Sequence, residues 1–230
     1  TIAQAVQLKA DATVDSYSMG TLTEQALTGL SVEEAVAYVA STNYQAPSNG
    51  GLVFTVVDAV GAVYAAEADG AHTRLALFDA VSVTADGGNA TVSEAIVVAG
   101  VAGFDGNASD FDIVSDASDV VAATASFLKS QFIGSVTAED ATVLEAATLK
   151  ADLNKVGWTY EIADAENLTA LTMDQAVDVI GSSNKAIGVV GIVDDASDVI
   201  ANTQSLNLAS ASSVTAEDAT VLEAATLKAD

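Results

Sequence analysis

The chain has 230 residues, half of them apolar, and 32 acidic against 7 basic side chains give it a formal net charge of −25. That balance argues against nucleic acid and anionic membrane surfaces as partners, because phosphate recognition needs clustered Lys and Arg. There is no cysteine, so neither a disulfide nor a thiolate metal site can hold the fold, and with aromatics at 5% the interior must be filled by Ala, Val, Leu and Ile in thin layers that leave no room for a large ligand cavity.

The first predicted element opens the chain. Thr1-Ile2-Ala3-Gln4-Ala5 follows a template of Thr or Ser, an aliphatic residue, any residue, Glu or Gln, and Ala. This is a helix start: the hydroxyl accepts a backbone N–H, and the Glu or Gln three residues on reaches back to close a capping box. The template returns at Ser31, Thr91, Thr142, Thr172 and Thr220, with starts 30, 60, 51, 30 and 48 residues apart. A period of 30 is thus expected, once doubled, with the intervals near 50 carrying an extra piece such as residues 206–219. After Thr172, the positions Met173, Ala176, Val177 and Ile180 fall at helical spacing and form one apolar face. Such helices span about ten residues and need a neighbour to be stable in water.

A second element follows each of the first five starts. Tyr17-Ser18-Met19, Phe54-Thr55-Val56, Phe111-Asp112-Ile113, Tyr160-Glu161-Ile162 and Val190-Gly191-Ile192 alternate large apolar with small or polar residues, as short strands do. Asp58, Asp116, Asp164 and Asp195 stand just after the last four, which predicts turn or cap duty. Residues 44–51, with the single proline Pro47, and residues 85–90 (ADGGNA) read as surface excursions.

Residues 135–152, SVTAEDATVLEAATLKAD, recur letter for letter at 213–230. Helix, turn, strand, turn makes one coil. The expected fold class is therefore α/β: a repeat solenoid of short helices covering a stacked parallel sheet, about 30 residues per coil with insertions. One array over residues 1–230 is expected, with divergent repeats and loop excursions over 1–90 and better-defined repeats over 91–230.

Several residues invite a chemical reading. His72 is the only histidine, and without a G-x-S-x-G elbow it reads as an exposed loop residue rather than a catalytic base. Asp112, Asp116 and Asp119, and Asp194, Asp195 and Asp198, cluster oxygen ligands and make calcium the candidate metal, although their spacing is not that of an EF-hand. A diffuse cation atmosphere is the alternative. Lys9, Lys150 and Lys228 share one place in the repeat and suit a helix C-terminus. Trp158, Phe54, Phe111 and Tyr160 could stack on sugars, but at strand positions they read as core. The longest apolar runs fall short of the roughly 20 residues that span a bilayer, so no membrane insertion is expected. The chain opens on Thr1 and closes inside its own phrase, which predicts a processed product or a segment of something longer.

The phrases VTAEDATVLEAAT and YEIADAENLTAL resemble the Ala-, Asp- and Thr-rich tandem repeats of giant secreted bacterial cell-surface proteins, adhesin-like or surface-layer-like, of the cyanobacterial type. Similar repeats occur in fibre proteins of phages infecting such hosts. The likeness covers residues 135–230 best, 111–132 next and 1–90 loosely, and residues 61–90 depart from it. It implies an extracellular or cell-surface, non-catalytic stalk, lattice or filament-forming element, whose partners are copies of itself head to tail or neighbouring repeats of a longer chain. The alternative is a binding or adhesion module for surface glycan or protein, gripping through residues 44–51 and 61–90, or a phage fibre segment.

Overall fold

The computed structural model describes residues 1–22, 27–68, 79–152, 158–184, 188–202 and 211–228. In chain order the elements are helices α1 (Ile2–Ala10) and α2 (Val32–Val39), a 3-10 turn (Pro47–Asn49), strand β1 (Thr55–Asp58), α3 (Val60–Ala68), β2 (Ser82–Ala90), α4 (Val92–Ala99) and β3 (Asp110–Asp116). There follow α5 (Ala117–Ala122), α6 (Ala125–Leu128), β4 (Ile133–Ala141), α7 (Val143–Asp152), β5 (Thr159–Ile162) and α8 (Met173–Ile180). The last elements are β6 (Gly191–Asp195), α9 (Ala196–Asn202), β7 (Ser213–Glu217) and α10 (Val221–Leu227). The chain divides into two compact units, one of Thr1–Val114 with Ser126–Ser135, the other of Ser115–Ala125 with Val136–Asp230.

The fold is α/β, with a five-stranded sheet in the order β1-β2-β3-β4-β5 and a two-stranded sheet β6-β7. Within each sheet strands lie beside their successors in the chain, and β1–β2, β2–β3, β4–β5 and β6–β7 pair in parallel, each connection crossing over through a helix. Thr55 pairs with Ser82, Asp86 with Asp110, Thr137 with Thr159 and Gly191 with Ser213, offsets of 27, 24, 22 and 22 residues rather than 30. The reason is that the Thr/Ser template does not recognise α3, α5 and α9. The helix α5, for instance, is capped by Asp116, which accepts the Ser118 N–H at 2.9 Å. The intervals near 50 therefore hold a complete further strand and helix, β3 with α5 and β6 with α9, in place of the extra piece expected at 206–219. Of that piece, residues 206–210 lie outside the described residues and Ser213–Glu217 is β7.

Residues 85–90 are not an excursion but the second half of β2, with Ala85 and Ala90 buried. Stretch 61–90, expected to break the pattern, likewise contains α3 and β2; residues 69–78 lie outside the described residues. The glycine-rich loop signal comes from a bulge. Between Asp86 and Asn89 of β2 there is one residue more than between their partners Asp110 and Asp112, and β4 has the same surplus between Ala138 and Ala141. Gly87 and Gly88 take φ of 77° and 88° there, and Asp140 takes 55°. The surplus residue resets the alternation of faces, so that after Val136 and Ala138 the next buried side chain is Ala141, not Asp140. Asp218, the counterpart of Asp140 in the duplicate, has φ 52°, so the phrase carries its own backbone geometry. Residues 44–51 do remain outside the strands, but Tyr44 is pinned: its ring meets Tyr38 edge-on at 5.2 Å and its hydroxyl donates to Asp79 at 2.7 Å.

The strand expected at Tyr17-Ser18-Met19 forms no ladder, while those at Phe54, Phe111, Tyr160 and Val190 lie in or directly beside β1, β3, β5 and β6. On α8 the buried positions are Met173, Ala176 and Val179, with Val177 and Ile180 only half-buried. The template Ala is the point of closest approach in every enclosed helix: Ala5, Ala35, Ala95, Ala146 and Ala176 are at most 1% exposed. A larger side chain there has nowhere to go, since packed interiors do not yield a methylene without strain. Ala146→Leu should accordingly lower stability by about 1–3 kcal/mol. Ala224→Leu, at the same place in the duplicate but exposed, should shift it by less than about 0.5 kcal/mol; urea midpoints of the two variants measure the difference.

Candidate functional site

The chemistry that recurs in this chain is the acceptance of backbone N–H groups by side-chain oxygens. A helix leaves its first four N–H groups without intrahelical partners. Thr1, Ser31, Thr91, Thr172 and Thr220 each accept the N–H three residues on, and Gln4, Glu34, Glu94, Gln175 and Glu223 return to the cap backbone. Thr142 and Glu145 do the same, at 3.2 and 2.9 Å. All six expected capping boxes are formed.

A further acceptor arrives from later in the chain. The first N–H of α2, from Val32, donates to Asp58 Oδ2 at 3.0 Å; that of α7, from Val143, to Glu166 Oε2 at 3.3 Å; that of α8, from Met173, to Asp194 Oδ2 at 2.8 Å. Each acceptor lies on or just past the strand that follows the helix, so the bond ties one strand–helix pair to the next. Its negative charge also meets the positive end of the helix dipole.

Bonds of this kind engage three of the six candidate metal ligands, Asp112, Asp116 and Asp194. Asp112 accepts the Ser135 hydroxyl at 2.7 Å. Asp116 accepts both the Ser118 hydroxyl, at 2.7 Å, and its N–H, and these bonds hold its carboxyl below the usual carboxylate range. Asp194 serves Met173 with one oxygen and the Asp195 N–H with the other, at 2.9 Å. Asp119 and Asp198 sit in the first turns of α5 and α9, and Asp195 ends β6. Among the described residues, no three His, Cys, Asp or Glu side chains are grouped to hold a metal ion. Of the four acids expected at turns, Asp58 caps α2 well before it in the chain while accepting the Ala59 N–H at 2.8 Å, Asp116 caps its own helix, and Asp164 stands in the turn after β5. Asp194, not Asp195, matches Asp58; the shared signal is an aliphatic pair before the acid, Val56-Val57 and Ile192-Val193.

A second device was not visible beforehand. Ser41-Thr42-Asn43 and Ser182-Ser183-Asn184, just after α2 and α8, make the same set of bonds. Asn43 accepts the Met19 N–H and donates to the Met19 carbonyl, both at 2.8 Å; Asn184 does so with Ile162 at 2.9 and 2.8 Å. The N–H groups of Thr42 and Ser183 donate to the carbonyls of Tyr17 and Tyr160. Ser41 and Ser182, both buried, donate to the carbonyls of Tyr38 and Val179. Tyr17 donates its hydroxyl to Ala37 O, and Tyr160 to Asp178 O. An Asn amide thus replaces a β-bridge, and the readable signal was Ser-Thr/Ser-Asn placed 24 residues behind Tyr17 in one case and 22 behind Tyr160 in the other.

Phe54, Phe111, Trp158 and Tyr160 are buried, so their faces are not offered to a sugar. Lys9 and Lys150 lie in the last turns of α1 and α7, Lys228 caps α10, and Lys150 also bonds Asp178 at 2.9 Å. His72 lies outside the described residues. No helix among the described residues is long and apolar enough to cross a membrane. An open groove of about 460 Å³ runs beside α1, between Gln4, Leu8, Asp11, Tyr17 and Met19. Comparison with known protein families, with curated proteins and with solved structures returns no match.

Two outcomes follow from the Tyr–Asn clip. Asn184→Ala strands the Ile162 N–H and carbonyl and should cost about 1–3 kcal/mol in urea unfolding, as for other unmet half-buried polar groups. Burial, and then the nearby Asp178 carboxylate, push the Tyr160 hydroxyl up to about 12. The fold favours the protonated phenol, so its contribution is complete below about pH 10, where an unfolded Tyr titrates, and is lost as pH rises through the folded value. Burial raises Tyr17, Tyr38 and Tyr44 as well, so in an ultraviolet titration Tyr160→Phe should lower the amplitude of the late tyrosinate step by the share of one tyrosine without removing it.

Proposed function

We propose that this chain is a non-catalytic structural repeat element of a cell surface, a stalk, lattice or filament component built as a solenoid of strand–helix coils. The observation that carries this reading is the spending of its polar side chains on the stacking of its own elements. Asp58, Glu166 and Asp194 each bind a preceding helix, Asn184 binds strand β5 at Ile162, and Asn43 binds the extended segment at Met19. Among the described residues, Phe54, Phe111, Trp158 and Tyr160 are core, and Asp58, Asp116 and Asp194 are cap acceptors. The resemblance of residues 135–230 to repeats of giant secreted surface proteins supports an extracellular place, with which an acidic chain without cysteine is compatible, as it is with any compartment. A net charge of −25 also keeps an Ala-rich, strand-bearing chain from indiscriminate edge pairing. The partners implied are neighbouring repeats or further copies of the chain.

Immunogold labelling of intact source cells with antibody against this chain tests the reading. Label on the outer surface of unpermeabilised cells is expected. Label found only after permeabilisation would overturn it.

A further inference from the structure

We propose that Asn167 is an N-glycosylation site, modified on the folded chain. The inference rests on the extracellular reading above, since Asn followed two residues on by Thr or Ser is an acceptor in secreted chains, and it adds a chemistry which that reading does not specify.

The acceptor pattern occurs three times: Asn89-Ala90-Thr91, Asn107-Ala108-Ser109 and Asn167-Leu168-Thr169. All three asparagines are exposed, so exposure does not separate them. What separates them is the work already given to the backbone and to the hydroxyl. Asn89 lies within β2 beside Asp112 of β3, and the Thr91 hydroxyl accepts the Glu94 N–H at 3.3 Å as the cap of α4. Ser109 is buried; its hydroxyl accepts the Ala85 N–H at 3.0 Å and donates to the Asp105 carbonyl at 2.8 Å, while Asn107 Oδ1 accepts from the Gln131 amide. A transferase must grip both the asparagine and the hydroxyl. At the first site it would have to undo a ladder and a helix cap, and at the second a buried bond.

At Asn167 neither group is committed elsewhere in the fold. Residues 163–170, between β5 and the bridge of Leu171 to Ile192, form neither helix nor strand. Within them the Thr169 hydroxyl donates to Asn167 Oδ1 at 2.7 Å and the Thr169 N–H donates to the same atom at 3.1 Å, so acceptor and hydroxyl are bonded to each other, both exposed. The turn is held from behind by its backbone. The Leu168 carbonyl accepts the Gly191 N–H at 2.7 Å, and the Thr169 carbonyl passes so near β6 that a Cβ on Gly191 would lie 2.5 Å from it. With the backbone against β6 and both side chains in water, a bulky, solubilising sugar is added there without displacing a packed group. Releasing two bonds inside one exposed turn is a local opening, far below the cost of disturbing the core.

The sugar comes from a glycosyl diphosphate donor. The bond from its anomeric carbon to Asn167 Nδ2 forms as the bond to the diphosphate oxygen breaks; the diphosphate leaves with that electron pair, and the proton lost from Nδ2 passes to a base of the transferase.

Peptide mapping by mass spectrometry of the chain purified from its source cells tests the site. The peptide bearing Asn167 should carry sugar, and those bearing Asn89 and Asn107 should not. Expressed in the same cells, Thr169→Ala should lose the sugar with an unchanged circular dichroism spectrum, and Thr169→Ser should keep it. An Asn167 peptide found only unmodified, a sugar that survives Thr169→Ala, or equal modification at Asn89 and Asn107 would overturn the inference. Outer-surface label on cells whose Asn167 is bare defeats this inference alone, whereas missing outer-surface label defeats the broader reading.

Discussion

Satisfaction of the helix N-terminus is the constraint on which this structure rests. In a helix of eight residues half of the N–H groups lack an intrahelical acceptor, and a helix so short does not persist in water by itself. The capping box meets part of that demand locally. In α2, α7 and α8 another part is met by a carboxylate from the following strand region, so the bond that completes the helix also fixes its successor. Local structure and stacking are then not separable contributions: an Asp at the end of β1 belongs energetically to α2.

The same economy governs the core. Each enclosed template helix approaches its surroundings through one alanine, with larger apolar residues three positions before and after it, as in Val143, Ala146 and Leu149. The approach is close because nothing larger than a methyl group stands in the way, and this is how a chain with so few aromatics fills its interior at ordinary packing density. The bulges in β2 and β4 serve that arrangement by turning Ala90 and Ala141 inward just before the next helix begins.

Elements written in short-range chemistry were legible in the sequence. Thr or Ser with Glu or Gln three residues on located six helix starts, and aromatic or aliphatic alternation located β1, β3, β5 and β6. What stayed hidden was written in pairings of 21 to 27 residues, such as Leu171 with Ile192 or Thr55 with Ser82. Helices capped by Asp116, or entered straight from a strand, escaped the template, which inflated the apparent period. The glycines of β2 gave a true signal of positive φ, but a bulge and a loop demand the same residues, and only the partner strand distinguishes them. The six candidate metal ligands illustrate the same limit. Clustering along the chain is visible in the letters, whereas the hydroxyl of Ser135 and the N–H of Met173, which engage Asp112 and Asp194, come from elsewhere.

The sign of the net charge follows from the capping constraint. Helix N-termini need acceptors, and Lys and Arg have none to offer. Gln4 and Gln175 show that a neutral oxygen suffices for the box, but a carboxylate adds attraction to the helix dipole, and the chain uses Glu at Glu34, Glu94, Glu145 and Glu223. Repeating the device along the chain accumulates negative charge. Part of the consequence is visible on the sheet, where Asp86 stands beside Asp110 in register, an arrangement that like charges disfavour. Gly134 leaves Asp110 room to turn its carboxylate aside, since an added Cβ there would lie only 2.8 Å from an Asp110 oxygen, and the neighbouring Asp112 is held by the Ser135 hydroxyl. Part of the chain's acidity is thus the electrostatic by-product of building with many short helices.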